Sequence, residues 1–244
     1  QGYHGSTYLS SSVSGKERDK SAMDTEQDLV HFLSAPHLGG DLAGRSEPEF
    51  CDYLIEELEA TIADVGPENI MCMIAEPVLG SGGVIVPPAD YNARCAAVVR
   101  SYGILYIADE VVTGFGRLGH WFASEPVFGV VPDMIIFAKG VTSGYLPLGG
   151  FVVSEGLLNQ VSGPAANGNI FSTGYTWSAN PVSCSAALAV WEIIEREQIL
   201  EHVRGVSGYF LEQLNTLTAL PLVREVRGQG LMAAIDLMPP ADLL

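Results

Sequence analysis

The stretch ILYIADEVVTGFGRLG, residues 104–119, runs five apolar or small residues straight into an acid, Asp109, and then into glycine-rich chain. A second stretch, MIIFAKGVTSGYLPLGG at 134–150, does the same with a base: Met134 to Ala138 lead into Lys139. Short continuous apolar runs predict strands buried on both faces, as in a parallel sheet covered by helices. In such sheets, ligands sit at the carboxyl ends of the strands. Asp109 and Lys139 therefore fall where one ligand can meet both.

The flanking sequence agrees. Phe50, Tyr53, Leu54, Leu58 and Ile62 are spaced for a helix with an acidic outer face. NIMCMIAEP, residues 69–77, predicts a strand ending at Glu76, and GSGGVIVPP at 80–88 a glycine loop. ADYNARCAAVVRSYG, residues 89–103, predicts a helix closed by Gly103. GGFVVS at 149–154 predicts a further strand of the same parallel sheet. Val182 to Glu197 is apolar enough to predict a buried helix. Ile199, Val203, Val206, Phe210, Leu214 and Leu217 mark an amphipathic one. LVREVRGQGLMAAIDL at 222–237 predicts one or two strands around a glycine turn, and residues 1–48 read as loop with short elements.

Composition sets the outer limits. With 48% apolar and 17% charged residues, the chain has enough apolar material for a sizeable core. A net charge of −17 repels nucleic acid and anionic membrane, so neither is an expected partner. No apolar run approaches the ~18 residues of a membrane span. QGYHGSTYLS at the start has neither the charged nor the apolar part of a signal peptide, and no initiator methionine, so it reads as a cut end. Cys51, Cys72, Cys95 and Cys184 lack metal or redox spacing. They are expected as free thiols in a reducing cytoplasm. His31, His37, His120 and His202 show no metal spacing either, so no metal is expected.

Taken singly, Asp109 reads as a helix cap and Lys139 as a solvated loop charge. Together, with Gly114, Gly116, Gly140 and Gly144 allowing close backbone approach, they point to a ligand. One chemistry needs this pair. Pyridoxal phosphate takes a lysine for a Schiff base with its aldehyde, and a carboxylate that keeps its ring nitrogen protonated.

Five segments, in order, resemble the class III aminotransferases, or ω-transaminases, of pyridoxal-phosphate fold type I. They are GYHGST (2–7), EPVLGSGG (76–83), DEVVTGFGRLG (109–119), FAKGVTSGYLPLGG (137–150) and FSTGYTWSANPVSCSAALA (171–189). The resemblance implies an α/β fold. A mainly parallel central sheet flanked by helices forms a large pyridoxal-phosphate-binding domain over 1–197, and a smaller C-terminal α/β domain begins over 198–244. It implies Lys139 as the catalytic Schiff-base lysine, Asp109 on the pyridine nitrogen, and Tyr3 and Val111 on the two ring faces. Glu76 lies in the glutamate–proline loop of the site, and Thr176 reaches the cofactor phosphate of a partner subunit in a homodimer. His4 either bonds near the cofactor or is structural, and Glu110 is expected to be structural.

The implied activity is transfer of an amino group from an amine or ω-amino acid to a keto acid such as pyruvate. An aminomutase or racemase on the same fold, or a catalytically incomplete fragment, stays open as the alternative. Thr173 and Asn180 stand where many relatives carry histidine, Trp177 where they carry tyrosine, and Val112 where some carry glutamine. The family's phosphate-binding Gly-Ser loop and carboxylate-binding arginine are expected outside these residues. The chain thus reads as the middle of a protein roughly twice as long.

Overall fold

The structure, a computed structural model, describes residues 1–26, 28–38, 44–172 and 174–238. The departure at Thr173 lies outside the described residues. Two short helices, α1 (Tyr8–Val13) and α2 (Glu17–Lys20), punctuate the irregular first segment. Next comes the long helix α3 (Glu47–Val65). It starts where the Ser46 N–H donates to the Glu49 carboxylate at 2.9 Å, a reciprocal cap, with Pro48 in the first turn.

The order continues β1 (Cys72–Ala75), α4 (Tyr91–Ser101), β2 (Leu105–Asp109), α5 (Ser124–Phe128), β3 (Met134–Phe137), β4 (Gly150–Val153) and α6 (Glu155–Val161). The chain then runs through α7 (Pro181–Arg196), α8 (Ile199–Asn215), β5 (Val223–Gln229) and β6 (Met232–Leu237).

β1 to β4 form one sheet in sequence order. β1, β2 and β3 are parallel, with Ala75 level with Ala108 and Asp109 level with Ile136. The main core lies where α3 and α4 cover this sheet. Phe50, Leu54, Leu58 and Ile62 of α3 meet Tyr91, Cys95 and Val99 of α4, over Tyr106 and Ala108 of β2. Burial pushes the Cys95 thiol up to about 12, so this cysteine is inert packing. All four cysteines are free.

Two expectations need correction. β4 runs antiparallel to β3, with Phe137 opposite Gly150. A parallel return needs a crossover that carries the chain back along the sheet, usually a helix. The chain between β3 and β4 holds only a short 3-10 turn, Lys139–Thr142. The second correction concerns α7, which is buried on one face only, through Ser183, Ala187, Val190 and Ile194. Val182, Leu188 and Ile193 lie on its exposed side.

β5 and β6 form a hairpin closed at Gly230, whose φ is +60°. Met232 at its tip joins Val78, Leu118 and Ala123 in a second apolar cluster, so the hairpin rests on the glycine-rich loops that follow β1 and β2. No helix among the described residues is long and apolar enough to cross a membrane. Among the same residues no cluster of His, Cys, Asp or Glu is fit to hold a metal.

Candidate active site

The parallel pairing places Glu76, one residue past β1, level with Asp109 at the end of β2. Lys139 stands two residues past the end of β3, the neighbouring strand. All three charges thus gather at one edge of the sheet, the edge expected for a ligand.

Asp109 is almost sealed, with 3% of its side chain exposed. Its Oδ1 accepts the Val111 N–H at 3.0 Å, and its Oδ2 lies 2.8 Å from His4 Nδ1. A carboxylate in such a place holds its charge only if hydrogen-bonded. His4, itself 6% exposed, is its fixed partner.

Glu76 anchors the segment that carries His4. Its Oε1 accepts the Tyr3 N–H at 2.9 Å, and its Oε2 the Gly80 N–H at 2.8 Å. Burial pushes this carboxyl above the ordinary carboxylate range, and the two N–H donors oppose that shift. Tyr3 is thereby fixed by its backbone while the residue keeps 39% of its surface exposed.

Glu110, adjacent to Asp109, does a different job. It is completely buried. It accepts from Thr113 Oγ1 at 2.9 Å, Ala123 N at 2.8 Å, Ser124 N at 2.8 Å and Ser124 Oγ at 2.5 Å. It braces the loop after β2 from inside. Glu110→Ala leaves two buried N–H groups unpaired and is expected to cost about 2–6 kcal/mol of stability, at about 1–3 kcal/mol for each orphaned donor. Chemical denaturation of the two proteins measures it, and a difference below about 1 kcal/mol would refute the bracing role.

Lys139 opens the 3-10 turn with a φ of +42° and is solvent-exposed. A left-handed conformation costs a non-glycine residue about 1–2 kcal/mol. It persists only where the surroundings over-determine it, and such places cluster at functional sites. The surroundings here are aromatic. Phe115 lies 5.6 Å from Phe137 and 5.9 Å from Trp191, the second pair stacked. Trp191 Nε1 donates to the Val141 carbonyl inside the lysine turn at 3.2 Å. A Cβ on Gly140 would come within 2.9 Å of Phe115 Cβ, so glycine lets the turn lie on that ring.

The structure therefore brings Tyr3, His4, Glu76, Asp109 and Val111 into one bonded set, with Lys139 on the neighbouring strand end. Thr176 stands apart. It lies in an exposed turn before α7, and among the described residues no hydrogen bond joins its side chain to the others. The braces escaped the sequence reading. Glu76 to Tyr3 spans 73 residues and His4 to Asp109 spans 105, and no local pattern announces either contact. The aromatic cluster left a faint signal in the density of Phe and Trp over 115–122.

In this mixed α/β sheet the ends of neighbouring parallel strands gather one lysine and one buried, histidine-held carboxylate, an arrangement that can meet a small ligand from two sides. The chain belongs to the class III aminotransferase family, whose model matches residues 1–243. That family depends on pyridoxal phosphate. The chain is 40% identical over 231 residues to gamma aminobutyrate transaminase 3, chloroplastic, of Solanum lycopersicum, covering 94% of this chain and 44% of that protein. The crystal structure of an (S)-enantioselective omega-transaminase from Thermomicrobium roseum superposes with a TM-score of 0.91 at 40% identity, over 99% of this chain and 53% of that one. The omega transaminase of Pseudomonas jessenii in complex with PMP superposes with a TM-score of 0.89 at 38% identity, over 97% and 52%. The chain spans about half the length of the curated relatives it matches.

Proposed function

We propose that the protein carrying this chain is a pyridoxal-phosphate-dependent aminotransferase. It moves an amino group from an amine or ω-amino acid to a keto acid such as pyruvate. The observation that carries this is the pairing of Lys139 with Asp109 at neighbouring parallel strand ends, with Asp109 buried and held by His4. The donor set fits the ring end of the cofactor: a primary amine, a sealed carboxylate, an exposed aromatic side chain at Tyr3 and a half-buried Val111.

When bound, pyridoxal phosphate supplies an electron sink for the substrate carbon that loses a proton. Lys139 would hold the cofactor through Nζ, and its amino group would serve that proton as general base and then acid. Asp109 would face the ring nitrogen and favour its protonated form, with His4 and the Val111 N–H fixing the two carboxylate oxygens. Tyr3 and Val111 would face the ring from its two sides, and Glu76 fixes Tyr3 by its backbone.

Thr176 is assigned to the phosphate of a partner subunit. Its exposed turn supports that role, as does the apolar outer face of α7, which offers a surface for a second copy. The division into a large domain over 1–197 and a smaller one beginning at 198 is supported by the separate β5–β6 sheet. Four free thiols fit a reducing compartment such as the cytoplasm.

The test is a pyruvate-coupled assay over a panel of amines and ω-amino acids with the purified holoenzyme. Turnover that requires both amine and keto acid is expected. Rearrangement or racemisation of an amino acid with no keto acid present would overturn the assignment.

A further inference from the structure

The loop from Gly80 to Gly83 is a three-way junction. A Cβ on Gly80 would sit 3.1 Å from Val112 Cγ2, beside Val111. A Cβ on Gly82 would sit 3.2 Å from the Gln1 carbonyl, in the segment that carries Tyr3 and His4. Gly83 adopts a φ of +119°, and its carbonyl accepts Arg227 Nε at 2.8 Å from the β5–β6 hairpin. Three separate segments thus press on four residues, and glycine at 80, 82 and 83 is what lets them approach.

Arg227 is held on its other side. Its Nη1 lies 3.1 Å from Glu225 and 3.9 Å from Asp236, so hairpin carboxylates fix the guanidinium while Nε reaches across to the loop. A planar fork can face two partners at once in this way, which a lysine head cannot do in the same geometry. From Gly83 the contacts run inward without a gap. The Gly83 N–H donates to the Gly80 carbonyl at 3.2 Å. The Gly80 N–H donates to Glu76 Oε2, and Glu76 Oε1 accepts the Tyr3 N–H. Next along the chain, His4 meets Asp109.

We propose that Arg227 is a positioning residue. Through the Gly83 carbonyl it sets the Gly80–Gly83 loop, and thereby Glu76 and the Tyr3–His4 segment that supports Asp109. The consequence for cofactor binding rests on the function proposed above; the mechanical link does not.

Hydrogen exchange on the apoenzyme tests that link. Arg227→Met keeps the apolar stem and removes the donors. Exchange over residues 1–8 and 76–84 is expected to rise about tenfold, as for a segment whose local opening has become easier, with β2 unchanged. Arg227→Lys keeps the charge facing Glu225 and Asp236 and is expected not to rescue, so it carries the same comparison should the methionine variant fail to fold. The dissociation constant for pyridoxal phosphate is expected to rise at least about fivefold in either variant. With Glu76→Gln added, the loss should be less than the product of the two single losses.

Exchange confined to 223–238, or full rescue by lysine, would overturn the proposal, because hairpin docking or charge alone would then account for Arg227. Spread of exchange to residues 1–8 with unaltered cofactor affinity would uphold the positioning role and count against the cofactor role of Tyr3.

Discussion

Replacement of Lys139 by alanine is expected to abolish turnover in the holoenzyme. General acid–base transfer alone contributes about 10²–10⁴-fold, and Lys139 also carries the covalent attachment, so the loss should be roughly 10⁴-fold or more. Folding should survive, because the aromatic support of the turn involves Phe115, Phe137 and Trp191 and not the lysine head. Alanine also tolerates φ of +42° no worse than lysine. Within this chain the other lysines are Lys16 and Lys20. Lys16 lies 3.4 Å from Asp19, and Lys20 lies 3.5 Å from Glu17 and 4.2 Å above the Phe32 ring. Borohydride reduction followed by peptide mapping should find the cofactor on the peptide that contains Lys139. An adduct on Lys16, Lys20 or any other lysine of the holoenzyme, or alanine-variant turnover within tenfold of the parent, would refute the assignment.

The lysine and the aspartate were legible because burial on both faces writes a strand as a continuous apolar run, and a lone charge after such a run marks its end. The same logic misjudged β4. GGFVVS is as apolar as β3, and strand direction is a property of the connection, not of the strand. It also misjudged α7, whose apolar circumference predicts full burial, whereas this chain covers only the Ser183–Ala187–Val190–Ile194 face. The remaining gaps have one cause. His4 and Glu76 act through contacts 105 and 73 residues distant. Each such contact depends on where the fold carries a short polar segment. The family resemblance placed Tyr3 and Glu76 at the site; only the structure shows that a carboxylate and a backbone N–H hold them to each other.

Asp109→Asn separates charge from shape, and so decides what the buried carboxylate is for. Asparagine keeps an oxygen for the Val111 N–H, now 3.0 Å from Oδ1, and the side-chain volume is nearly unchanged. A residue that only capped the turn after β2 would therefore leave kcat almost untouched. The charge itself is costly to keep at 3% exposure, and His4 is spent on holding it, which makes little sense for a cap. Its proposed use is to keep the ring nitrogen protonated while a carbon gives up its proton. That demand is greatest in the transition state and small in the bound substrate. The loss should accordingly fall on kcat more than on KM: at least about 10²-fold in kcat, near 3 kcal/mol. Steady-state kinetics with a saturating keto acid give both constants. A fall in kcat of less than about threefold would return Asp109 to the capping role. A rise in KM with kcat preserved would mean that its charge serves binding alone.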